Sequence, residues 1–214
     1  LSSEIKDWSP ARIRRTGADG VKVLAWYRPD ASAEVIKHQD AFIRRIGEAC
    51  READICYLLE FLVYPLGGDV GYAEDPQKYP QHVIESVQRF AGPEYGVDIF
   101  KLESPLPAKA LPDPDTGGTE ARRAQDLFNA LGTASARPWV MLSAGASAAD
   151  FSKVLTYAYR AGANGYLAGR AIWWEAMQAF PDTAAIAKRL DAEAVPYMRQ
   201  INALTAKAAK PIAI

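Results

Sequence analysis

The residue of this sequence best suited to chemistry is Lys101, which lies at the centre of a short apolar run, residues 97–105. A run of this length that ends in prolines is typical of a buried strand. A lysine in such a strand loses its hydration, and that loss disfavours the charged form of the amine. The neutral amine is the nucleophile that attacks a carbonyl group to form a Schiff base. The run therefore predicts covalent catalysis on a carbonyl substrate.

Further charged and polar residues lie in other apolar runs or at their ends. Glu60 and Lys22 each lie within a run, and Ser143 closes another. Burying several charges is costly, so we expect Lys101, Glu60 and Lys22 to face either one another or a polar cavity. Glu103 should share a strand face with Lys101 by the period of two. The structural alternative is that a strand lysine extends to the strand end and merely pairs with an acid.

Composition places the chain among ordinary globular proteins. It has 214 residues, of which 49% are hydrophobic, and a formal net charge of -1. With 25 basic against 26 acidic residues and no long basic block, we expect no nucleic-acid partner. Cys50 and Cys56 are too few, and too far from histidines, for a zinc site or a disulfide framework. No segment is apolar enough to cross a bilayer, so we expect a cytoplasmic protein without a membrane partner.

The apolar runs predict five strands, with helical patterns between them. Neither face of these runs is consistently polar, which favours parallel strands covered on both sides. Thr119 is expected to cap a helix that ends at Gly132, and Ser147 with Asp150 resembles a capping box at the start of another. The predicted strands are residues 21–27, 55–64, 97–103, 139–144 and 165–168.

This order predicts an α/β fold made of β/α units. The spacing of about 30 to 40 residues per unit is close to that of a (β/α)₈ TIM barrel. Residues 15–20 and 160–165 form a weak repeat at the same helix-to-strand position. Five strands are too few to close such a barrel, so we expect residues 1–214 to be a single domain, the C-terminal five units of a barrel whose N-terminal strands are absent. An open doubly wound sheet is the alternative, although no G-x-G-x-x-G turn follows a strand.

Three motifs carry a resemblance to one enzyme family. Residues 97–105, 138–145 and 161–173 are similar to segments of class I tagatose-1,6-bisphosphate aldolases and of the related sulfofructose-phosphate aldolases. The third motif is long and specific. The likeness extends over nearly the whole chain and includes residues 20–24 and 58–61. The resemblance implies a (β/α)₈ barrel and aldol chemistry that uses neither a metal nor another cofactor.

The resemblance also implies roles for individual residues. Lys101 would be the Schiff-base lysine on the sixth barrel strand, with Glu60 as its acid-base neighbour and Lys22 as its electrostatic neighbour on strands five and four. The family's Asp-Gln-Arg type segment from the first strands is absent from this sequence. The loops after strands seven and eight, where such barrels often hold a phosphate, contain Ser143, Gly145, Gly169 and Arg170.

The function expected from this resemblance is reversible cleavage of a phosphorylated ketose to dihydroxyacetone phosphate and an aldehyde such as glyceraldehyde 3-phosphate. A sulfofructose-phosphate substrate, which would give sulfolactaldehyde, and a non-catalytic sugar-phosphate sensor on the same fold are the alternatives. The polar, glycine-rich residues 67–79 are expected to form a lid. We expect a homo-oligomer, or pairing with a separate N-terminal segment, because an unpaired strand edge invites association.

Overall fold

A computed structural model describes residues 1–212 of the chain. Its centre is a five-stranded sheet in the order β1-β2-β3-β4-β5, and all neighbouring strands are parallel. Strands alternate with helices along the chain, which confirms the predicted α/β fold. The strands are β1 (Gly20–Trp26), β2 (Cys56–Leu62), β3 (Ile99–Leu102), β4 (Trp139–Leu142) and β5 (Gly165–Leu167).

Helices fill each interval between strands, and three more follow β5. Short 3₁₀ turns and one π-helical turn, Leu190–Ala194, complete the connections. No helix within residues 1–212 is long and apolar enough to cross a membrane. The helices are α1 (Pro10–Arg15), α2 (Ala33–Glu52), α3 (Lys78–Phe90), α4 (Thr119–Ser135), α5 (Ala148–Arg160), α6 (Arg170–Met177), α7 (Thr183–Arg189) and α8 (Val195–Ala208).

The hydrophobic core lies between the helices and one face of the sheet. Alternate residues of each strand point to this face because side chains on a strand have a period of two. Phe100 and Leu102 of β3 are both fully buried there. They pack in one apolar cluster with the inward stripes of α2 to α5, which include Ile43, Val87 and Phe128.

The opposite face of the sheet is open, and here the structure differs from the prediction that the strands are covered on both sides. Leu24, Trp26 and Leu167 lie on this face with 42%, 51% and 43% of their surface exposed. Lys22 and Lys101 belong to the same set of strand positions. Both faces of the strands carry apolar residues, and this pattern led to the prediction that helices cover both. Within residues 1–212 the helices pack on one face only.

Two of the predicted helix ends prove wrong, and one cap is confirmed. The Ser147 side chain accepts a hydrogen bond from the Asp150 backbone N–H at 3.1 Å, as the capping box predicted. Gly118, rather than Thr119, occupies the N-cap of α4. The helix also continues past Gly132 to Ser135. Gly132 is needed for close packing instead, because a Cβ atom there would lie 2.3 Å from the Ala161 carbonyl oxygen.

Replacing Gly132 by alanine should therefore destabilise the protein. Overpacking against backbone typically costs about 1–3 kcal/mol, which exceeds the gain of about 1 kcal/mol in helix propensity that alanine brings. Gly67→Ala is the control, because a Cβ atom at Gly67 has no neighbour within 4 Å. Urea unfolding monitored by circular dichroism should show a lower midpoint for Gly132→Ala only. Equal midpoints for both variants would contradict this account of the α4–α5 packing.

Candidate active site

Glu60 lies between two lysines on the open face of the sheet. Its Oε1 atom is 3.0 Å from Lys101 Nζ, and its Oε2 atom is 2.8 Å from Lys22 Nζ. The Glu60 side chain is 9% exposed and that of Lys101 is 18% exposed. Of the two arrangements expected for these three charged residues, the structure shows the one in which they face one another, with one carboxylate shared by two amines.

Strand register explains how the three side chains meet. Glu60 and Lys101 are direct partners in the β2–β3 ladder, so their side chains emerge side by side. Lys22 is opposite Leu58 in the β1–β2 ladder, and its long side chain reaches diagonally to Glu60. Because Cβ atoms of paired residues are about 5 Å apart, an extended lysine easily closes both gaps.

Lys22 is less buried than its strand position suggested. Its side chain is 47% exposed, because it lies on β1, the edge strand of the open face. Glu60, on a central strand, is much more enclosed. Lys22 contacts Glu60 from the exposed edge of the sheet, while Lys101 lies in the more sheltered position beside Glu60.

The loop after β4 and the start of α6 form the second part of the site. Ala144 and Gly145 are both left-handed, with φ values of 47° and 75°. Successive backbone turns of this kind expose N–H groups, and a helix N-terminus favours an anion. Arg170 is the first residue of α6, and its guanidinium lies against this loop. The guanidinium carbon is 3.8 Å from the position that a Cβ atom on Gly145 would occupy.

The remaining two predicted anion-binding residues border this loop and helix. Gly169 is the N-cap of α6, and no side chain caps the helix there. Ser143 directly follows β4, is 9% exposed, and accepts a backbone hydrogen bond from Ala146 through its carbonyl at 2.8 Å. Arg170 is exposed and forms no ion pair with another described residue. Its guanidinium is thus available to a ligand.

Glu103 does not join the lysines, contrary to the expectation that it shares their face. Strand β3 ends at Leu102, and the Glu103 carboxylate accepts hydrogen bonds from the Val63 backbone N–H at 2.7 Å and the Tyr79 hydroxyl at 2.9 Å. Burial raises the pKa of Glu103 to about 7, although both hydrogen bonds favour the charged form.

A polar cluster at the ends of β1 and β2 was not predicted from the sequence. Its centre is Arg28, whose side chain is fully buried and forms ion pairs at 2.8 Å with both Asp30 and Asp69. The guanidinium also lies over the Tyr72 ring at 4.2 Å, and Lys78 contacts Asp69 at 3.0 Å. The Arg28 guanidinium lowers the pKa of Asp30. This cluster ties the loop expected to be a lid to the end of β1.

Among residues 1–212, no three acidic, cysteine or histidine side chains converge closely enough to hold a metal ion. The described side chains offer instead an amine beside a carboxylate, together with a cationic, amide-rich loop. An amine and a carboxylate in contact can exchange a proton and serve nucleophilic and acid-base chemistry. The loop suits an anionic group of a substrate.

Comparison with known proteins identifies the family. The model of the DeoC/LacD family of aldolases matches residues 3–175. The chain belongs to this family. Tagatose 1,6-diphosphate aldolase of Lactococcus lactis subsp. lactis is 37% identical to this family member over 171 residues, 78% of the chain and 52% of that protein. The enzyme of the same name from Streptococcus pneumoniae serotype 4 is 36% identical over 178 residues, 81% of the chain and 55% of that protein. This DeoC/LacD chain thus spans about half the length of the curated relatives it matches.

Solved aldolase structures share the fold of this DeoC/LacD chain. A Schiff base forming fructose-1,6-bisphosphate aldolase matches with a TM-score of 0.60 and 20% identity, over 95% of this chain and 65% of that one. An archaeal fructose 1,6-bisphosphate aldolase matches with the same TM-score and identity, over 94% of this chain and 63% of that one. The α/β fold expected from the sequence is therefore also that of known aldolases.

Proposed function

We propose that this chain carries the Schiff-base site of a class I aldolase that reversibly cleaves a phosphorylated ketose. The observation that carries the proposal is the position of Glu60, within 3.0 Å of Lys101 and 2.8 Å of Lys22. Both lysine amines contact this one carboxylate, so Glu60 can exchange a proton with either of them. Lys101 is assigned as the nucleophile because its side chain is 18% exposed, against 47% for Lys22.

The first step is formation of the Schiff base. Glu60 takes a proton from the Lys101 ammonium, and the neutral amine adds to the C2 carbonyl of the ketose. A second proton passes from the nitrogen to the C2 oxygen, which gives a neutral carbinolamine with a C2 hydroxyl group. Glu60 returns that proton to the C2 hydroxyl, which leaves as water. The product is an iminium ion that joins C2 to the Lys101 nitrogen. Its positive charge withdraws electrons from the C3–C4 bond.

Cleavage of the C3–C4 bond follows. Glu60 removes the proton of the C4 hydroxyl, C4 becomes an aldehyde, and the bonding electrons pass to C3 to give an enamine on Lys101. The protonated Glu60 then transfers its proton to C3, and water hydrolyses the resulting iminium. Dihydroxyacetone phosphate leaves, and Lys101 and Glu60 return to their starting states.

The β4–α5 loop and the N-terminus of α6 hold a phosphate of the substrate in this proposal. Arg170 supplies a forked, charge-assisted contact, and the backbone amides around Gly145 and Gly169 supply further donors. The tagatose 1,6-diphosphate aldolase names of the relatives favour tagatose 1,6-bisphosphate as the ketose, with glyceraldehyde 3-phosphate as the aldehyde product.

We also propose that the sheet corresponds to the C-terminal five strands of a (β/α)₈ barrel. Parallel strands in sequential order and helices on one face support this. The open face, which bears Glu60 and both lysines, would then be the barrel interior, where such enzymes hold their catalytic groups at the C-terminal strand ends.

A cleavage assay tests the function. Tagatose 1,6-bisphosphate incubated with the protein and excess chelator should release dihydroxyacetone phosphate, since the mechanism uses no metal. Arg170→Met should raise KM by about 10-fold or more through the loss of a charged hydrogen bond. Arg137→Met is the control, because Arg137 is equally exposed but lies at the opposite end of the sheet, before β4. Binding of the bisphosphate without any product would instead identify a sugar-phosphate sensor.

A further inference from the structure

The backbone ladder between β2 and β3 ends at the two residues of the proposed reaction. Its three register pairs are Leu58 with Ile99, Leu59 with Phe100, and Glu60 with Lys101. On its other side, β2 is paired with β1 as far as Leu62. The proposed catalytic pair therefore occupies the last rung of the β2–β3 ladder, and within residues 1–212 no further register pair holds the two strands together beyond it.

Glu103 bridges the two strands just beyond this last rung. Its Oε1 atom accepts the Val63 backbone N–H at 2.7 Å, so a side-chain oxygen takes the place of a strand carbonyl. Val63 is three residues after Glu60, and Glu103 is two residues after Lys101. Glu103 is 7% exposed, so little water competes for this bond. A buried charge-assisted hydrogen bond is among the stronger ones in proteins.

The second carboxylate oxygen of Glu103 accepts a hydrogen bond from a residue of helix α3. Tyr79, near the start of α3, donates its hydroxyl hydrogen to Oε2 at 2.9 Å. The Tyr79 ring packs against Tyr72 in an edge contact with a centroid separation of 5.7 Å. Tyr72 in turn lies under the buried Arg28. The Glu103 carboxylate thus accepts hydrogen bonds from two donors, one of which, Tyr79, packs against Tyr72 of the Arg28 cluster.

We infer that Glu103 is a positioning residue that holds the end of β2 against β3, so that the Glu60 carboxylate stays within reach of Lys101 Nζ. Its effect on the strands does not depend on any activity, whereas its effect on catalysis rests on the proposed function. Glu103 itself touches no reacting group, since its described partners are Val63 and Tyr79 alone.

The charge of Glu103 offers a way to follow this contact. Burial raises the pKa of Glu103 to about 7, so its ionisation falls in an accessible range. The titratable groups that face it are Tyr79 and, behind it, Tyr72, and burial raises the pKa of both hydroxyls well above that range. His82 lies behind Tyr72 at 3.0 Å, and burial lowers its pKa. Glu103, with a pKa of about 7, is the titratable group that contacts the Val63 amide directly, so its ionisation should be visible at that amide.

The test compares Glu103→Ala, Glu103→Gln and the control Glu74→Gln, a glutamate that is 62% exposed. Hydrogen exchange of the Val63 amide, measured by NMR, should be about 10- to 100-fold faster in Glu103→Ala through loss of a charged hydrogen bond. Glu103→Gln keeps an oxygen acceptor and should stay within about threefold of the unchanged protein, as should the control. Unchanged Val63 exchange in Glu103→Ala would overturn the inference.

A pH titration of the Val63 amide and the cleavage rate of the Glu103 variants distinguish a positioning role of Glu103 from a role in stability alone. The Val63 amide shift should follow a midpoint of about 7 in the unchanged protein, and this midpoint should vanish in Glu103→Gln. Its persistence would overturn the inference, even if Glu103→Ala fails to fold. In the cleavage assay, Glu103→Ala should lower kcat by about 10-fold and leave KM within about twofold, and Glu103→Gln should restore kcat. If the unchanged protein cleaves nothing, the proposed function fails, and the Val63 measurements still decide the role of Glu103.

Discussion

Lys101→Arg should form no covalent adduct with dihydroxyacetone phosphate under borohydride reduction, whereas the unchanged protein should gain the mass of one reduced substrate. A guanidinium cannot act as the amine nucleophile, because it keeps its proton throughout the accessible pH range. Arginine still offers a positive charge to Glu60, which lies 3.0 Å from Lys101 Nζ. The variant should therefore fold, and intact-protein mass spectrometry reports the loss of chemistry alone.

The matched control is Lys109→Arg, at an exposed lysine whose side chain is 76% accessible. It should form the adduct as the unchanged protein does. An adduct that persists in Lys101→Arg and disappears in Lys109→Arg would place the reactive amine elsewhere. Far-UV circular dichroism of both variants excludes a loss of fold as the cause.

Glu60→Gln should lower kcat for ketose cleavage by about 10²- to 10⁴-fold, the usual contribution of a general acid-base group. Glutamine keeps the shape of the side chain but can neither take the C4 hydroxyl proton nor return one to C3. Steady-state kinetics of the release of dihydroxyacetone phosphate measures the change, and KM should move far less than kcat. The substrate is held mainly by the anion-binding loop in this account.

Two comparisons make the Glu60 result decisive. Glu74→Gln removes an exposed carboxylate and should leave kcat unchanged. Glu60→Asp keeps the carboxylate on a shorter side chain and should retain more activity than Glu60→Gln. If Glu60→Gln keeps a rate close to that of the unchanged protein, Glu60 only pairs with the lysines, and a different base performs the proton transfers.

The strands could be predicted from the sequence because each is a short apolar run closed by glycine or proline. The prediction for β4 began at Trp139, where the strand begins. The ends of α4 were harder to predict from the sequence. Glycine usually terminates a helix, but Gly132 lies inside α4, where the backbone carbonyl of Ala161 requires the missing side chain. That contact joins distant segments and has no local signal.

The site was predictable to the extent that charge burial is costly. Charges in apolar strands were expected to face one another or a polar cavity, and Lys101, Glu60 and Lys22 face one another. The sequence could not reveal that Glu60 and Lys101 are direct register partners, since register depends on how the sheet assembles. It also could not reveal the exposure of Lys22, which follows from its place on an edge strand.

The hydrogen-bond partners of Glu103 could not be predicted from the sequence. The period of two along β3 assigned Glu103 to the face of Lys101, but the strand ends at Leu102 and the chain turns. Tyr79 reaches Glu103 from the first turn of α3, and the loop before that helix contacts Arg28 through Asp69. A buried arginine with two aspartates from separate segments is a tertiary arrangement that residue spacing does not encode.

The position of the covalent adduct decides whether Lys101 is the Schiff-base lysine. The unchanged protein is reduced with borohydride in the presence of dihydroxyacetone phosphate, digested, and sequenced by tandem mass spectrometry. We expect a single modified residue, Lys101. Modification of Lys22 or another lysine in its place, or binding of the ligand with no adduct at all, would contradict it.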